Sequence, residues 1–334
     1  MRPPPFDQLP AERRGLRLRA VRDGLIFSGW LAAASIFLVI VPLGLSLGYD
    51  AYSYWSIDLA DLYGRTMFNN FTLGAFRYTP PVAFLLAPLG LLPWWLYLWL
   101  WLGLMLSAVA WLGGRWALVL LALPPVALEI YHGNIHLLMA VAIALGFRHP
   151  WAWAFPILSK LTVGVGLLWF VVRREWHELA VAVGATAAVT LVSFVVAPHY
   201  WVDFVASIVS NLDQPQDYSV PPALPIRLPL AALLVMWGAR TDRPWTVPLA
   251  AALALPIVWL HGLAVAAAAV PFLRRGDRAA LMPGWREAAR LRDFAAVAAG
   301  VLGAALLVAL VGAGPLAQLV DEASRNIAPY LRRP

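Results

Sequence analysis

Apolar residues fall in long runs separated by short polar stretches. The long runs are 25–47, 94–112, 116–128, 135–147, 179–197, 228–238, 246–260 and 294–314, with shorter apolar pieces at 82–92, 151–158, 162–172 and 263–273. A helix needs roughly 20 apolar residues to cross the hydrocarbon core. The longest runs therefore predict transmembrane helices. The short runs interrupted by Pro or Gly predict broken or re-entrant helices, which are tolerated where they pack in protein or line a wet cavity. Residues 151–172 are expected to form two half-helices that turn near Lys160, and 82–92 a juxtamembrane helix. The first run, 25–47, exceeds the 7–15 residues of a signal-peptide core and reads as an uncleaved helix. The expectation is an all-α polytopic membrane protein of about ten or eleven transmembrane helices.

Composition supports a lipid solvent. The 334-residue chain is 61% hydrophobic and 13% charged. Soluble domains are about 45–50% apolar and about 25% charged. Many of the 17 Trp and 10 Tyr lie at the ends of apolar runs, where amphipathic rings meet the headgroups. The net charge of +7 comes from 24 Arg and one Lys. Those arginines sit in short loops between apolar runs, which argues for membrane orientation and against nucleic acid as a partner. With a cytoplasmic N-terminus, 18 of the 25 basic residues fall inside, while the loop 198–222 carries Asp203, Asp213 and Asp217 but no Lys or Arg and falls outside. The expected division is a basic cytoplasmic segment 1–24 and a transmembrane catalytic module 25–273 with outer loops 48–81 and 198–222. A cytoplasmic linker 274–293, a last transmembrane helix 294–314 and a tail 315–334 follow. Cysteine is absent, which excludes disulfides and thiolate chemistry.

Five groups of residues could carry chemistry. Asp50 sits where the first apolar run ends, with Asp58 and Asp61 following; it is either a solvated helix end or a functional carboxylate at the membrane boundary. Arg77 precedes Tyr78, Thr79, Pro80 and Pro81, and can hold either a phosphate or a lipid headgroup. Glu129, His132, Asn134 and His136 surround Gly133, which can end one helix in a left-handed residue while Asn134 caps the next. So dense a polar group between apolar helices normally faces a cavity. Lys160, the single lysine, needs an anionic partner, either a lipid-carrier phosphate or a carboxylate. His261, after Trp259 and Leu260, is either locally hydrogen-bonded or functional. The six histidines read as dispersed, and Gly133 interrupts the one i,i+4 pair, so no metal is expected; no nucleotide fingerprint or hydrolase motif is present.

In order, these pieces are an Asp after the first helix, an aromatic-x-Pro-Pro segment, a Gly-Asn turn, a Lys between half-helices with Arg-Arg-Glu-Trp beyond it, and a late Trp-Leu-His. The arrangement resembles the polyprenol-phosphate-mannose-dependent α-1,2-mannosyltransferases, multi-span GT-C glycosyltransferases of largely actinobacterial occurrence. The likeness is clearest over residues 48–176 and weaker over 198–273. It departs at the turn, which lacks the family's Gln, and after Lys160, where Val163 stands in place of Pro. The resemblance implies a GT-C bundle with Asp50 as catalytic base and His261, on a His near the late Trp, as a second catalytic residue. It places Tyr78, Pro80 and Pro81 on the aromatic-x-Pro-Pro motif, Gly133 and Asn134 on the turn, and Lys160 on a lysine motif. The expected reaction is transfer of a sugar, mannose by this likeness, from a polyprenyl-phosphate donor to a glycolipid or glycan acceptor at the outer face of the plasma membrane, with inversion. Arg77 and Lys160 are expected at the donor phosphate. Tyr78, His132, Asn134, His136 and Asp213 are expected at the substrates, with membrane lipids around the protein and no separate cofactor. The rival reading is a transporter or flippase, which broken helices and intramembrane charges also suit.

Overall fold

The computed structural model describes residues 23–24, 26–31, 47–68, 73–211 and 222–273. Asp213, most of the segments 1–24 and 25–47, and all of 274–293, 294–314 and 315–334 lie outside the described residues. Every described element is an α-helix or a 3₁₀-helix, with no strand among the described residues. Among the described residues two helices are long and apolar enough to cross a membrane, Trp94–Gly113 (20 residues) and Trp176–Val196 (21 residues), and the bent pair Pro124–His132 and His136–Gly146 makes a third if it is one span. Only 11% of the most apolar window of Trp176–Val196 is buried, and Leu191, Val192, Val195 and Val196 are exposed. An exposed apolar surface of that kind belongs in hydrocarbon. The protein is an all-α membrane protein.

The remaining apolar runs are cut more finely than their hydropathy predicts. The run 116–128 does not continue through Leu123, which is extended (φ −69°, ψ 128°). Two prolines follow it. A residue before proline avoids the helical region, and Pro is tolerated in a first turn, so a new helix, Pro124–His132, starts there. The run 246–260 likewise ends early, because the helix Thr246–Leu253 stops before Pro256. The segment around Lys160 breaks as expected. The helix Ala154–Ser159 ends at Lys160 (φ −145°, ψ 97°), and a 3₁₀ stretch, Leu161–Leu167, leads into Leu168–Arg173. The stretches expected as outer loops contain helices of their own: Tyr49–Trp55 and Gly64–Phe68 in the first, Pro198–Ser210 in the second.

The chain divides into two compact units. The first comprises Met1–Tyr49, Ala108–Ala187 and Pro215–Arg278; the second comprises Asp50–Ser107, Ala188–Gln214 and Ala279–Pro334. In the first, small residues let helices approach closely, as is usual in membranes. Gly238 shows this: a Cβ built there would lie 1.8 Å from the Thr246 hydroxyl, so the helix Leu224–Arg240 can meet Thr246–Leu253 only through glycine. The side chain of Arg227 is buried in the same unit and holds the end of that hairpin. Its Nε donates to the Pro222 carbonyl at 2.6 Å, and its Nη atoms donate to the carbonyls of Leu253 (2.7 Å), Leu255 (2.8 Å) and Pro256 (3.1 Å). The Thr162 hydroxyl donates to the Ala254 carbonyl of the same broken stretch. One guanidinium thus satisfies backbone acceptors that the helix ends leave open.

The core of the second unit is aromatic. Tyr54 and Tyr78 share a hydroxyl–hydroxyl hydrogen bond of 2.7 Å, and Tyr54 packs against Trp101 with ring centroids 5.4 Å apart. The Tyr63 hydroxyl donates to the Tyr78 carbonyl at 2.7 Å, and the Thr66 hydroxyl to the Phe76 carbonyl at 2.7 Å. Burial, with Asp203 adding to it, raises the Tyr63 phenol far above its usual range, so it remains a donor. These bonds fix the Phe76–Pro81 segment from both sides.

Candidate active site

Among the described residues the densest buried polar group lies where the helices Pro124–His132 and His136–Gly146 meet, bent by 116°. Gly133 makes the bend. It adopts the left-handed conformation (φ 67°, ψ 35°), and its amide donates to the Glu129 and Ile130 carbonyls. The second helix is capped from the first. Glu129, fully buried, accepts from the His136 amide at 2.6 Å and the Leu137 amide at 3.3 Å through Oε1. Its Oε2 lies 3.1 Å from His136 Nδ1. A carboxylate at a helix N-terminus satisfies orphan amides and opposes the dipole. Asn134, expected as the cap, turns instead to its neighbour: its Oδ1 accepts from the Ile135 amide at 2.6 Å.

A third element closes the group. His261 opens the 3₁₀-helix His261–Ala269, is buried, and stacks on Trp259 with ring planes 13° apart. Its Nε2 lies 3.4 Å from Asn134 Nδ2. The His132 ring meets it edge-on at 4.9 Å between centroids, and the His136 ring stands 5.9 Å away. Both ring nitrogens of His132 are buried and have no hydrogen-bond partner among the described residues. A buried polar atom without a partner costs about 1–3 kcal/mol. Histidines that looked scattered along the chain are gathered here, three of the six. Glu129, His136 and His261 each offer one ligand atom, all within 4.8 Å of one another.

The other expected site residues are placed as follows. Lys160 is the half-buried residue at the break after Ala154–Ser159, in the first unit. Gly48 donates its amide to the Tyr131 carbonyl at 2.8 Å within the first unit. Asp50 is the acidic residue of that helix's first turn and is half-buried. Tyr78 is buried in the second unit's aromatic core. Arg77 beside it is half-buried, and its Nε is buried without a hydrogen-bond partner among the described residues. Two residues had a larger part than their sequence context indicated. Glu129 organises the whole bend, and the sequence signal was a lone carboxylate inside an apolar Pro-to-Gly helix. Arg227 had no such signal, since its carbonyl partners are 5 to 29 residues away.

A wedge of buried imidazoles, a carboxylate and an amide inside an apolar helical protein can bind a sugar hydroxyl, a phosphate oxygen or a cation, and can pass a proton. Comparison with known proteins narrows this choice. No curated protein and no solved structure matches the chain. The sequence model of glycosyltransferase family 87, a GT-C type membrane family, matches residues 76–286, well over half of the chain. That stretch contains Arg77, Tyr78, the Glu129–His136 bend, Lys160 and His261, while Asp50 precedes it. The chain thus belongs to glycosyltransferase family 87.

Proposed function

We propose that this membrane glycosyltransferase takes its sugar from a polyprenyl phosphate. The sugar proposed is mannose, and the acceptor a glycolipid or glycan at the outer face of the plasma membrane. The observation that carries the reading is family membership in a chain whose solvent is lipid. A lipid-phosphate donor is delivered within the bilayer and needs no Gly-rich nucleotide loop, and the sequence contains none.

In this reading Asp50 takes the proton from the acceptor hydroxyl as that oxygen attacks the anomeric carbon. The bond from that carbon to the phosphate oxygen breaks, and the polyprenyl phosphate leaves with the electron pair. A single displacement inverts the configuration. The leaving group departs as an anion, so it needs positive charge rather than a proton. Lys160 and Arg77 supply it, and the unpartnered Nε of Arg77 supports that role. His132, Asn134 and His136 bind sugar or acceptor hydroxyls, with Tyr78 and Asp213 also at the substrates. His261 sits beside His132 and His136 and is the second catalytic residue of this proposal.

The substitution Asp50→Asn keeps the size and hydrogen-bonding capacity of the side chain but removes the proton acceptor. Donor binding should persist while transfer falls about a hundredfold to ten-thousandfold. Asp58→Asn, in the same stretch of chain, should transfer at the wild-type rate. A wild-type rate in Asp50→Asn refutes the assignment of the base.

A further inference from the structure

The helix Pro198–Ser210 follows the apolar helix Trp176–Val196 after one non-helical residue, Ala197 (φ −149°, ψ 73°). The residue before a proline avoids the helical region, and proline opens a helix readily, so the chain breaks here rather than running on. With 13 residues the new helix is about 20 Å long. That is too short to cross a hydrocarbon core of about 30 Å.

The helix belongs to the second unit, and its side chains fall on stripes spaced i, i+4, i+7 and i+11, one helix face each. Tyr200, Phe204, Ser207 and Asn211 form the inner stripe, and all but the half-buried Tyr200 are buried. The Phe204 ring packs on Tyr63 and the Tyr200 ring on Phe84, each with centroids 5.7 Å apart. The Tyr200 hydroxyl donates to the Leu59 carbonyl, and Asn211 Nδ2 donates to the Thr66 carbonyl at 3.1 Å. A second stripe faces away from the protein: Val202, Val205 and Val209 are 67%, 56% and 57% exposed. His199, Asp203 and Ser210 lie on a third, polar stripe. A helix covered by water needs no row of valines on its outer face. The row is continuous with an apolar surface that already faces hydrocarbon. Trp201, next to Val202, donates its Nε1 to Ser193 Oγ at 3.0 Å, and Ser193 lies between the exposed Val192 and Val195 at the end of Trp176–Val196.

We infer that Pro198–Ser210 is an interfacial helix, lying in the plane of the bilayer surface with Val202, Val205 and Val209 inserted among the lipids and His199 and Ser210 toward water. Its partner is the lipid surface, held by apolar insertion. Residues 198–222 carry no Lys or Arg, so attraction to anionic headgroups takes no part. What reads in the sequence as an outer loop is in this part a membrane-bound element. Through its inner stripe it also holds Leu59 and Thr66, and so anchors the stretch between Asp50 and Arg77 to the bilayer surface.

The test exploits the absence of cysteine from the chain. Val202→Cys, Val205→Cys and Val209→Cys are each labelled with one nitroxide in the full-length protein and reconstituted in phosphatidylcholine liposomes. These side chains are exposed, so the packed inner stripe is left intact. Power saturation with O₂, which concentrates in lipid, and with a water-soluble nickel chelate measures the depth of each label. All three should lie about 5–10 Å into the boundary between headgroups and acyl chains. His199→Cys and Ser210→Cys should meet the chelate freely, and Val183→Cys, in the middle of Trp176–Val196, should lie deeper than the three valine positions. The depths should be unchanged in liposomes that contain phosphatidylglycerol. Chelate contact at the valine positions as free as at Ser210 overturns the inference, because water then covers the stripe. Shielding from both reagents overturns it too, because another protein surface, such as a second copy of the chain, then covers it. A depth equal to that of Val183, or insertion only when phosphatidylglycerol is present, contradicts it as well. None of these results depends on sugar transfer, so the helix assignment can fail while the glycosyltransferase reading stands, and the reverse.

Discussion

Removing the Glu129 carboxylate should unravel the bend from its second helix. The side chain accepts two backbone amides, His136 at 2.6 Å and Leu137 at 3.3 Å, and faces the His136 ring at 3.1 Å. Hydrogen bonds to a charged group are worth about 1.5–3 kcal/mol each, but the bond to Leu137 is long and contributes little. Deleting the buried charge also returns part of its desolvation cost. The net for Glu129→Ala is therefore about 2–4 kcal/mol of destabilisation, most of it from two amides left without an acceptor at a helix start. Glu129→Gln keeps one acceptor oxygen for those amides. It turns an NH₂ toward His136 and forces that ring to swap tautomers, a loss of about 1–2 kcal/mol. Denaturant unfolding in mixed micelles, followed by tryptophan fluorescence, measures both. The order should be wild type, then Gln, then Ala. An Ala variant within about 0.5 kcal/mol of wild type, or one more stable than Gln, refutes the capping argument.

Two further stability predictions follow from the same unit. Gly133→Ala places a Cβ on a left-handed residue (φ 67°) and should cost about 1–2 kcal/mol by the same assay. Asn at this position should cost less, since Asn visits that region more readily. Arg227→Lys replaces a planar fork serving four carbonyls with a point charge that cannot reach them all. At least about 2 kcal/mol should be lost, and the unfolding midpoint should fall accordingly; an unchanged midpoint would mean that the carbonyl clamp is dispensable.

Hydropathy made the class legible, because an apolar excess of this size has no other solvent than lipid. It was weaker at the ends of helices. The break at Leu123 depends on a clash between a proline ring and the residue before it, which an apolar average over the run does not register. The break at Lys160 was legible because a charge marked it. The polar residues around Gly133 were visible as a group, and so was the left-handed glycine that turns the chain. Their roles were less visible. Asn134 sat at the expected capping position, yet Glu129 caps the next helix from seven and eight residues before the amides it binds. Such a bond exists only once the chain has bent. The convergence of His261 with His132 and His136 is similar. It brings together residues more than 120 positions apart, through the packing of Ala-rich helices whose pairing no local pattern encodes. Arg227 gave no warning, because its partners are backbone carbonyls and backbone carries no sequence signal.

Transfer by the purified protein measures the proposed activity directly. Full-length protein in detergent or liposomes is given a polyprenyl-phosphate sugar, with mannose, glucose and other sugars tried in turn, and a panel of glycolipid acceptors. The same sugars are supplied in parallel as nucleotide sugars. Transfer is expected from the polyprenyl-phosphate donor, fastest with mannose, with inversion at the anomeric carbon and strong loss in Asp50→Asn. Transfer from nucleotide sugars but from no polyprenyl phosphate, or a product that retains the donor's configuration, would contradict it.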